Sequence, residues 1–381
     1  MNKMSTILLF FVISGFFLLP PLSYGGPRGM TRDFDLTYET RETTGTDKVN
    51  IDRFTFNSNF GWELTRRSEL DISIPFCVTS ADFEVNPLDD DTIAAFKDIK
   101  ANYRMDVREA TEDKPGAFYS LFMNIATGLS NLNADEQAII NAINEASEGF
   151  TDPAYTNGFG FRAMYGLTFK QGANSNLDLS LGYHYTGTFE PSDGYEENTS
   201  DNILLRLAGR RQVNPRRDVQ YGLSYMYFFD GKLTTLNTGD TTTTKRDADM
   251  SFFFATNTEL NPNLSNSIDF SYIYRNEQDY VDAGGTTGQR LDLGDIIRLR
   301  AMQHQKMNPK QWFDYGLAWR LTQNSDALTG APVDTRRNEL GVVLGLTKDV
   351  NTGFTMKGDI QIGLTDDSRD FVLNFGGMWS F

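Results

Sequence analysis

The chain holds two histidines, His184 and His304, and a single cysteine, Cys77, in 381 residues. A nucleophilic serine needs a base within hydrogen-bond reach. Asp178, Ser180 and His184 alternate along "NLDLSLGYHY" and offer the three residue types of such a relay. On one extended strand, residues sharing a face stand ~7 Å or more apart, which is too far for a serine–histidine bond. His304 falls near the opposite rim of the architecture read below, remote from His184. No enzymatic activity is expected. One cysteine rules out an intrachain disulfide or a cysteine metal cluster. The run Asp89-Asp90-Asp91 has the oxygen chemistry for Ca²⁺ or for bridging lipopolysaccharide phosphates through divalent ions, but reads more simply as a solvated loop. Nothing matches a nucleotide loop, a haem site or a zinc site, so no cofactor and no metal are expected. The net charge of −16, from 35 Lys+Arg against 51 Asp+Glu, argues against a nucleic-acid partner.

The remaining chemistry belongs to charged residues that alternate with apolar ones. Period-2 alternation marks a strand with one polar and one apolar face. "RDFDLTYET" sets Phe34, Leu36 and Tyr38 against Asp33, Asp35 and Glu39, and "SELDISIPF" sets Leu70, Ile72, Ile74 and Phe76 against Glu69 and Asp71. Read along the chain, the pattern gives strands at 32–42, 49–64, 67–78, 98–109, 116–127, 157–170, 176–187, 201–211, 218–230, 247–258, 266–276, 291–304, 311–323, 337–347, 353–364 and 370–381. Connectors on one side are short and turn-like ("QGANS", "LNPNLSN", "QKMNPKQ"). Those on the other are mostly long and rich in Asp, Glu, Thr and Gly: 79–97, 128–156, 188–200, 231–246, 277–290 and 324–336. An even strand count with short turns on one side and long loops on the other is the pattern of an all-β, antiparallel, up-and-down transmembrane barrel, with about sixteen strands, periplasmic turns and extracellular loops.

Both ends agree with that architecture. "MNKMSTILLFFVISGFFLLPPLSYGG" has a basic start, an apolar stretch too short to span a bilayer, and small residues before Gly25. Residues 1–25 therefore read as a secretory signal peptide and 26–381 as one barrel domain. The last strand runs to the final residue, which closure against the first strand explains. Its end, "NFGGMWSF", resembles the terminal strand of outer-membrane barrels generally. That resemblance implies a bacterial outer membrane and recognition of Trp379 and Phe381 by the barrel-insertion machinery. Lipids and lipopolysaccharide would surround the barrel, with Trp379 and Phe381 in the periplasmic aromatic girdle and Tyr185, Tyr227, Phe229 and Tyr274 in the outer one.

A barrel of this size has a backbone radius of roughly 16 Å, more than side chains can fill, so passage of small-molecule solutes is the expected role. Alternation points Arg104, Arg162, Arg206, Arg298, Arg300 and Lys357 into the lumen, with Asp35, Glu69 and Asp71 on the acidic first strands. Such a split sets a field across the pore. Phe118, Phe122, Met226, Phe228, Phe253, Met302 and Trp312 also face inward, either packed beneath an inserted loop or lining a track for apolar solutes. The longest loop, 128–156, contains "NADEQAIINAINEASEG". Asn133 and Glu136 form a capping box, Ile139, Ile140, Ile143 and Ala146 an apolar stripe, and Asp135, Glu136 and Glu145 an acidic back. This helix is expected to fold into the lumen against Phe118 and Phe122 and narrow it.

In strand count, length and the position of this loop the chain resembles the sixteen-stranded general porins, whose third loop constricts the channel, though it lacks their "PEFGG". It leaves open a homotrimer. The run from "RRSELDISIPF" through "FKDIKANYRMDV" and "FMNIATGLSN" to "LDLSLGYHYTG" is similar to the barrels named after meta-pathway phenol degradation. Lys97-Asp98 and Ala126-Thr127-Gly128 stand where that family carries Gly-Asp and "PTG". This second resemblance implies a selective transporter for hydrophobic or aromatic small molecules. A third reading is a sheath around a periplasmic electron-transfer partner, which requires a lumen free of the loop.

Overall fold

A computed structural model describes residues 29–380 apart from 43–48, 85–91, 131, 147–155, 157, 193, 283, 286, 292–293, 324–336, 352 and 365–368. The segment 1–25, the run Asp89-Asp90-Asp91 and Phe381 lie outside the described residues.

The sixteen staves are β1 (Met30–Glu42), β2 (Val49–Thr65), β3 (Ser68–Phe83), β4 (Thr92–Phe96 continuing as Ile99–Arg108), β5 (Gly116–Ile125), β6 (Gly160–Lys170), β7 (Ser175–Thr186) and β8 (Asn202–Asn214), then β9 (Arg217–Phe228), β10 (Ala248–Asn261), β11 (Leu264–Tyr274), β12 (Ile296–Asn308), β13 (Gln311–Thr322), β14 (Arg337–Asn351), β15 (Phe354–Leu364) and β16 (Arg369–Ser380). Each pairs antiparallel with its neighbour in sequence, and β1 closes on β16 from Thr31–Ser380 to Thr40–Phe371. Closure pairs every stave on both sides and leaves no edge.

The outer face is apolar. Leu181, Leu223, Leu317, Leu340 and Ile362 are 57, 50, 52, 51 and 49 % exposed to the exterior. A water-soluble barrel would be disfavoured by so continuous an apolar surface, whereas a bilayer core is its natural solvent. Only helices and closed barrels satisfy their backbone there. Tyr183, Tyr227 and Phe229 meet edge-to-face at one rim, with ring centroids 6.3 and 5.6 Å apart. Trp379 stacks on Phe354 and lies 5.3 Å from Phe34 at the other. This is a bacterial outer-membrane barrel.

Tight turns join the staves at the periplasmic end. In three of them an asparagine is followed by proline: Asn214-Pro215, Asn261-Pro262 and Asn308-Pro309. The asparagine carboxamide oxygen accepts the amide two residues on, from Arg216, Asn263 or Lys310, at 2.9 Å each. Proline fixes φ for the next position while the asparagine closes the turn on itself. Asn351 does the same for Gly353.

At the opposite end the loops after β7, β9 and β11 are not coil. Thr188–Ser192, Tyr195–Asn198, Gly231–Thr235, Thr241–Arg246, Gln278–Val281 and Thr287–Leu291 form a second, six-stranded sheet. Threonine-rich stretches such as "TTTTKR" favour strand, and Gly194 and Gly239, at φ +82° and +73°, supply the turns.

Within the barrel, α1 (Ala134–Ala146) begins at a capping box. The Glu136 amide donates to Asn133 Oδ1 and the Asn133 amide to Glu136 Oε2, both at 2.9 Å. Ile139 and Ile140 pack with Leu132 against Val49, Ile51, Cys77, Ala81 and Ile93. Ile51 shares its face with Arg53, Thr55 and Asn57, which line a cavity inside the barrel, so the helix rests on inward-facing residues of β2–β4.

Candidate functional site

The helix does not lie on Phe118 and Phe122. Those rings are covered by cations: the Arg104 guanidinium stands 4.1 Å from the Phe118 centroid and that of Arg162 4.9 Å from Phe122. Arg246 and Lys306 stand over Phe228 and Trp312 in the same way, at 4.6 and 5.8 Å. Glycines on the adjoining stave make room. A methyl group at Gly166 would come within 2.2 Å of the Phe118 ring, and one at Gly222 within 2.0 Å of Phe253. Phe118, Phe122, Phe228 and Trp312 thus each carry a cation over the ring, which makes this part of the inner wall more polar than a greasy track would be.

The lumen holds a cavity of about 660 Å³. Asp35 and Glu39 reach it from β1, Arg53 from β2, Lys97 and Lys100 from β4, Arg300 from β12, and Lys357 and Asp359 from β15. Five cations face three carboxylates there. A second cavity, of about 320 Å³, is bordered by Asp33, Asp71 and Phe122 and shares Asn59, Ser73 and Lys100 with the first. Of the residues that alternation points inward, Asp35, Arg300 and Lys357 come together in the larger cavity and Asp71 in the smaller. Arg104 pairs instead with Asp106 at 3.3 Å. Glu69 is the ladder partner of Arg104, Arg206 stands between Ser180 and Ser224, and Arg298 lies directly opposite Arg320. The side chains of Ile143 and Glu145 lie outside the described residues, and Asp135 sits in the first turn of α1.

Arg53 and Lys97 are additions that the alternation did not single out. Arg53 is 2 % exposed, and its Nε donates to Cys77 Sγ at 3.0 Å. Its signal was present in Arg53, Thr55, Asn57 and Asn59 alternating with Phe54 and Phe56. Lys97 had none, because it sits where β4 is broken. Pro75 on β3 has no N–H to offer, and β4 leaves the ladder opposite it; the Lys97 amide donates to Pro75 O at 2.9 Å.

That break also fixes the root of the third loop. Asp98 accepts the amides of Thr127 and Gly128, at 3.2 and 3.1 Å, and Asn124 Nδ2 at 2.6 Å. The Thr127 hydroxyl donates to Lys97 O at 3.0 Å and accepts the Ile99 amide at 3.1 Å. The two short motifs quoted for the family resemblance are therefore one clamp, with the charge-assisted bonds at Asp98.

His184 makes no relay with Ser180 or Asp178; its Nδ1 is bonded to Asn202 Nδ2 at 3.2 Å. Among the described residues no three His, Cys, Asp or Glu side chains are grouped to hold a metal.

No family model matches the chain, and no curated protein matches it in sequence. Solved structures with partial likeness include the outer-membrane expressed OmpT of Vibrio cholerae, 10 % identical, covering 94 % of this chain and 99 % of that one with a TM-score of 0.43. An outer membrane channel from Pseudomonas putida F1 is 11 % identical, covering 96 and 100 %, with a TM-score of 0.42. The Ralstonia pickettii toluene transporter TbuX is 10 % identical, covering 93 and 90 %, also at 0.42. None is similar enough to lend this chain a substrate or a family.

Proposed function

We propose that the protein is an outer-membrane channel for passive, gradient-driven diffusion of small polar solutes, narrowed by the inserted third loop and the lumenal cations. One observation carries the reading. Lys100 of β4 and Arg300 of β12 line the same cavity although these staves stand half-way round the ring from each other. Side chains from opposite walls thus approach around a single gap. With α1 resting on the inner wall above Arg53, a solute crossing the barrel passes between charged groups of both signs. Selectivity in such a passage comes from gap size and from the field of those groups.

Single-channel conductance in a planar bilayer, before and after deletion of residues 131–148, tests this. A steady ohmic conductance that rises on deletion is the expected result. A barrel closed in both forms overturns the diffusion reading in favour of a selective transporter or a sheath.

A further inference from the structure

A second constellation lies at the periplasmic end of the lumen and plays no part in diffusion. Ser267 Oγ is 3.0 Å from His304 Nε2, and His304 Nδ1 is 2.8 Å from Asp314 Oδ1. The three residues come from three consecutive staves. His304 on β12 is the direct ladder partner of Asp314 on β13 and of Ser265 on β11, and Ser267 is the next residue on the same face of β11. All three face inward, because His304 shares its side of β12 with Arg300, which lines the central cavity.

We propose that this is an acyl-transfer site, with Ser267 as nucleophile, His304 as general base and Asp314 as the positioning residue. The bonds order themselves chemically. A carboxylate only accepts, so Asp314 keeps the imidazole proton on Nδ1 and leaves the Nε2 lone pair for the serine hydroxyl. Asp314 is 16 % exposed and His304 33 %, so the orienting group is shielded while the base remains reachable. Met302, the direct ladder partner of Ser267 and 6 % exposed, stands beside the serine. Gly316 next to Asp314 leaves room for it, since a methyl there would come within 2.6 Å of the Met302 sulfur.

A cavity of about 360 Å³ adjoins the relay, reaching His304 and Ser265, with Leu264 and Trp312 as apolar lining and Lys306 as a cation. Its other walls are the periplasmic turns at Pro215 and Pro262, so a substrate enters from the periplasmic mouth. The volume suits a small carboxylic ester. In acylation the Ser267 Oγ–acyl bond forms, the ester C–O bond breaks, and the serine proton passes through His304 Nε2 to the departing alkoxide. Water then attacks the acyl-serine, giving its proton by the same nitrogen back to Ser267 and releasing the acid.

The test uses the full-length folded barrel, with folding of every variant verified by its heat-modifiable gel mobility. A fluorophosphonate serine probe is added and the adduct located by peptide mass mapping, alongside hydrolysis of p-nitrophenyl acetate. The expected result is an adduct at Ser267 in the wild type and none in Ser267→Ala. Labelling should be at least 10-fold slower in His304→Gln. Asp314→Asn should lower kcat with little change in KM, and Asp314→Glu should recover part of it. An unlabelled Ser267 in a folded wild-type barrel overturns the proposal. So does labelling of equal rate in wild type and His304→Gln. Neither outcome bears on conductance, which is measured separately.

Discussion

At the scale of single residues, the inner wall is organised by glycine–aromatic pairs and the cations above them. Phe118 can lie under Arg104 only because Gly166 on the next stave has no side chain. Gly166→Ala should therefore destabilise the barrel by about 1–3 kcal/mol through overpacking, read as a lower urea midpoint for the refolded protein. Pro75, Lys97, Asp98, Thr127 and Gly128 make a second residue-scale device, in which one missing N–H breaks a stave and the break supplies the clamp for a loop. The serine relay is the third. The sequence placed His304 near one rim but gave it no partners, since Ser267 and Asp314 lie 37 and 10 positions away in sequence and meet it only through ladder register. A search confined to one strand could reject Asp178, Ser180 and His184 on distance, and had no means of seeing across strands.

At the scale of elements, the sixteen staves were all legible, because a lipid face and a lumen face impose strict period 2 on each of them. The helix was legible too, since Asn133 and Glu136 announce its start and the isoleucines its buried side. Its berth was not: the stripe says that Ile139 is covered, whereas the covering residues, Val49, Ile51, Ala81 and Ile93, belong to strands more than forty positions away. Ile139 is fully buried, and Ile139→Ala should cost about 2–5 kcal/mol locally. Hydrogen exchange would show the 134–146 amides losing protection while the staves keep theirs. The extracellular sheet escaped detection because its strands are four to six residues long with little apolar alternation. In that sheet burial pushes the Glu197 carboxyl above its ordinary range, and burial followed by the Glu197 charge pushes Tyr280 up. A raised carboxyl favours the protonated folded form. The sheet is therefore held fully at acid pH and loosens as pH rises through the folded value of Glu197. Glu197→Gln should keep the 195–198 and 231–235 amides protected throughout, measured as exchange against pH after correction for intrinsic rates.

At the scale of the whole molecule, closure between β1 and β16 leaves no unpaired edge, and the lumen left by sixteen staves accounts for what is packed inside it. The repeated periplasmic turn carries a further meaning. Asn214, Asn261 and Asn308 are equally spaced, each followed by proline and each closing the same tight turn. Removing residues 215–261 joins Asn214 to Pro262 and recreates that turn at the seam, with β8 now running directly into β11. The product should refold as a fourteen-stave barrel that retains heat-modifiable mobility, whereas an excision one residue longer, 215–262, would lose the turn proline and shift one flank out of register. A hairpin bounded by two such turns is a cassette. A barrel built from it can change girth by whole units without redesign of a single joint.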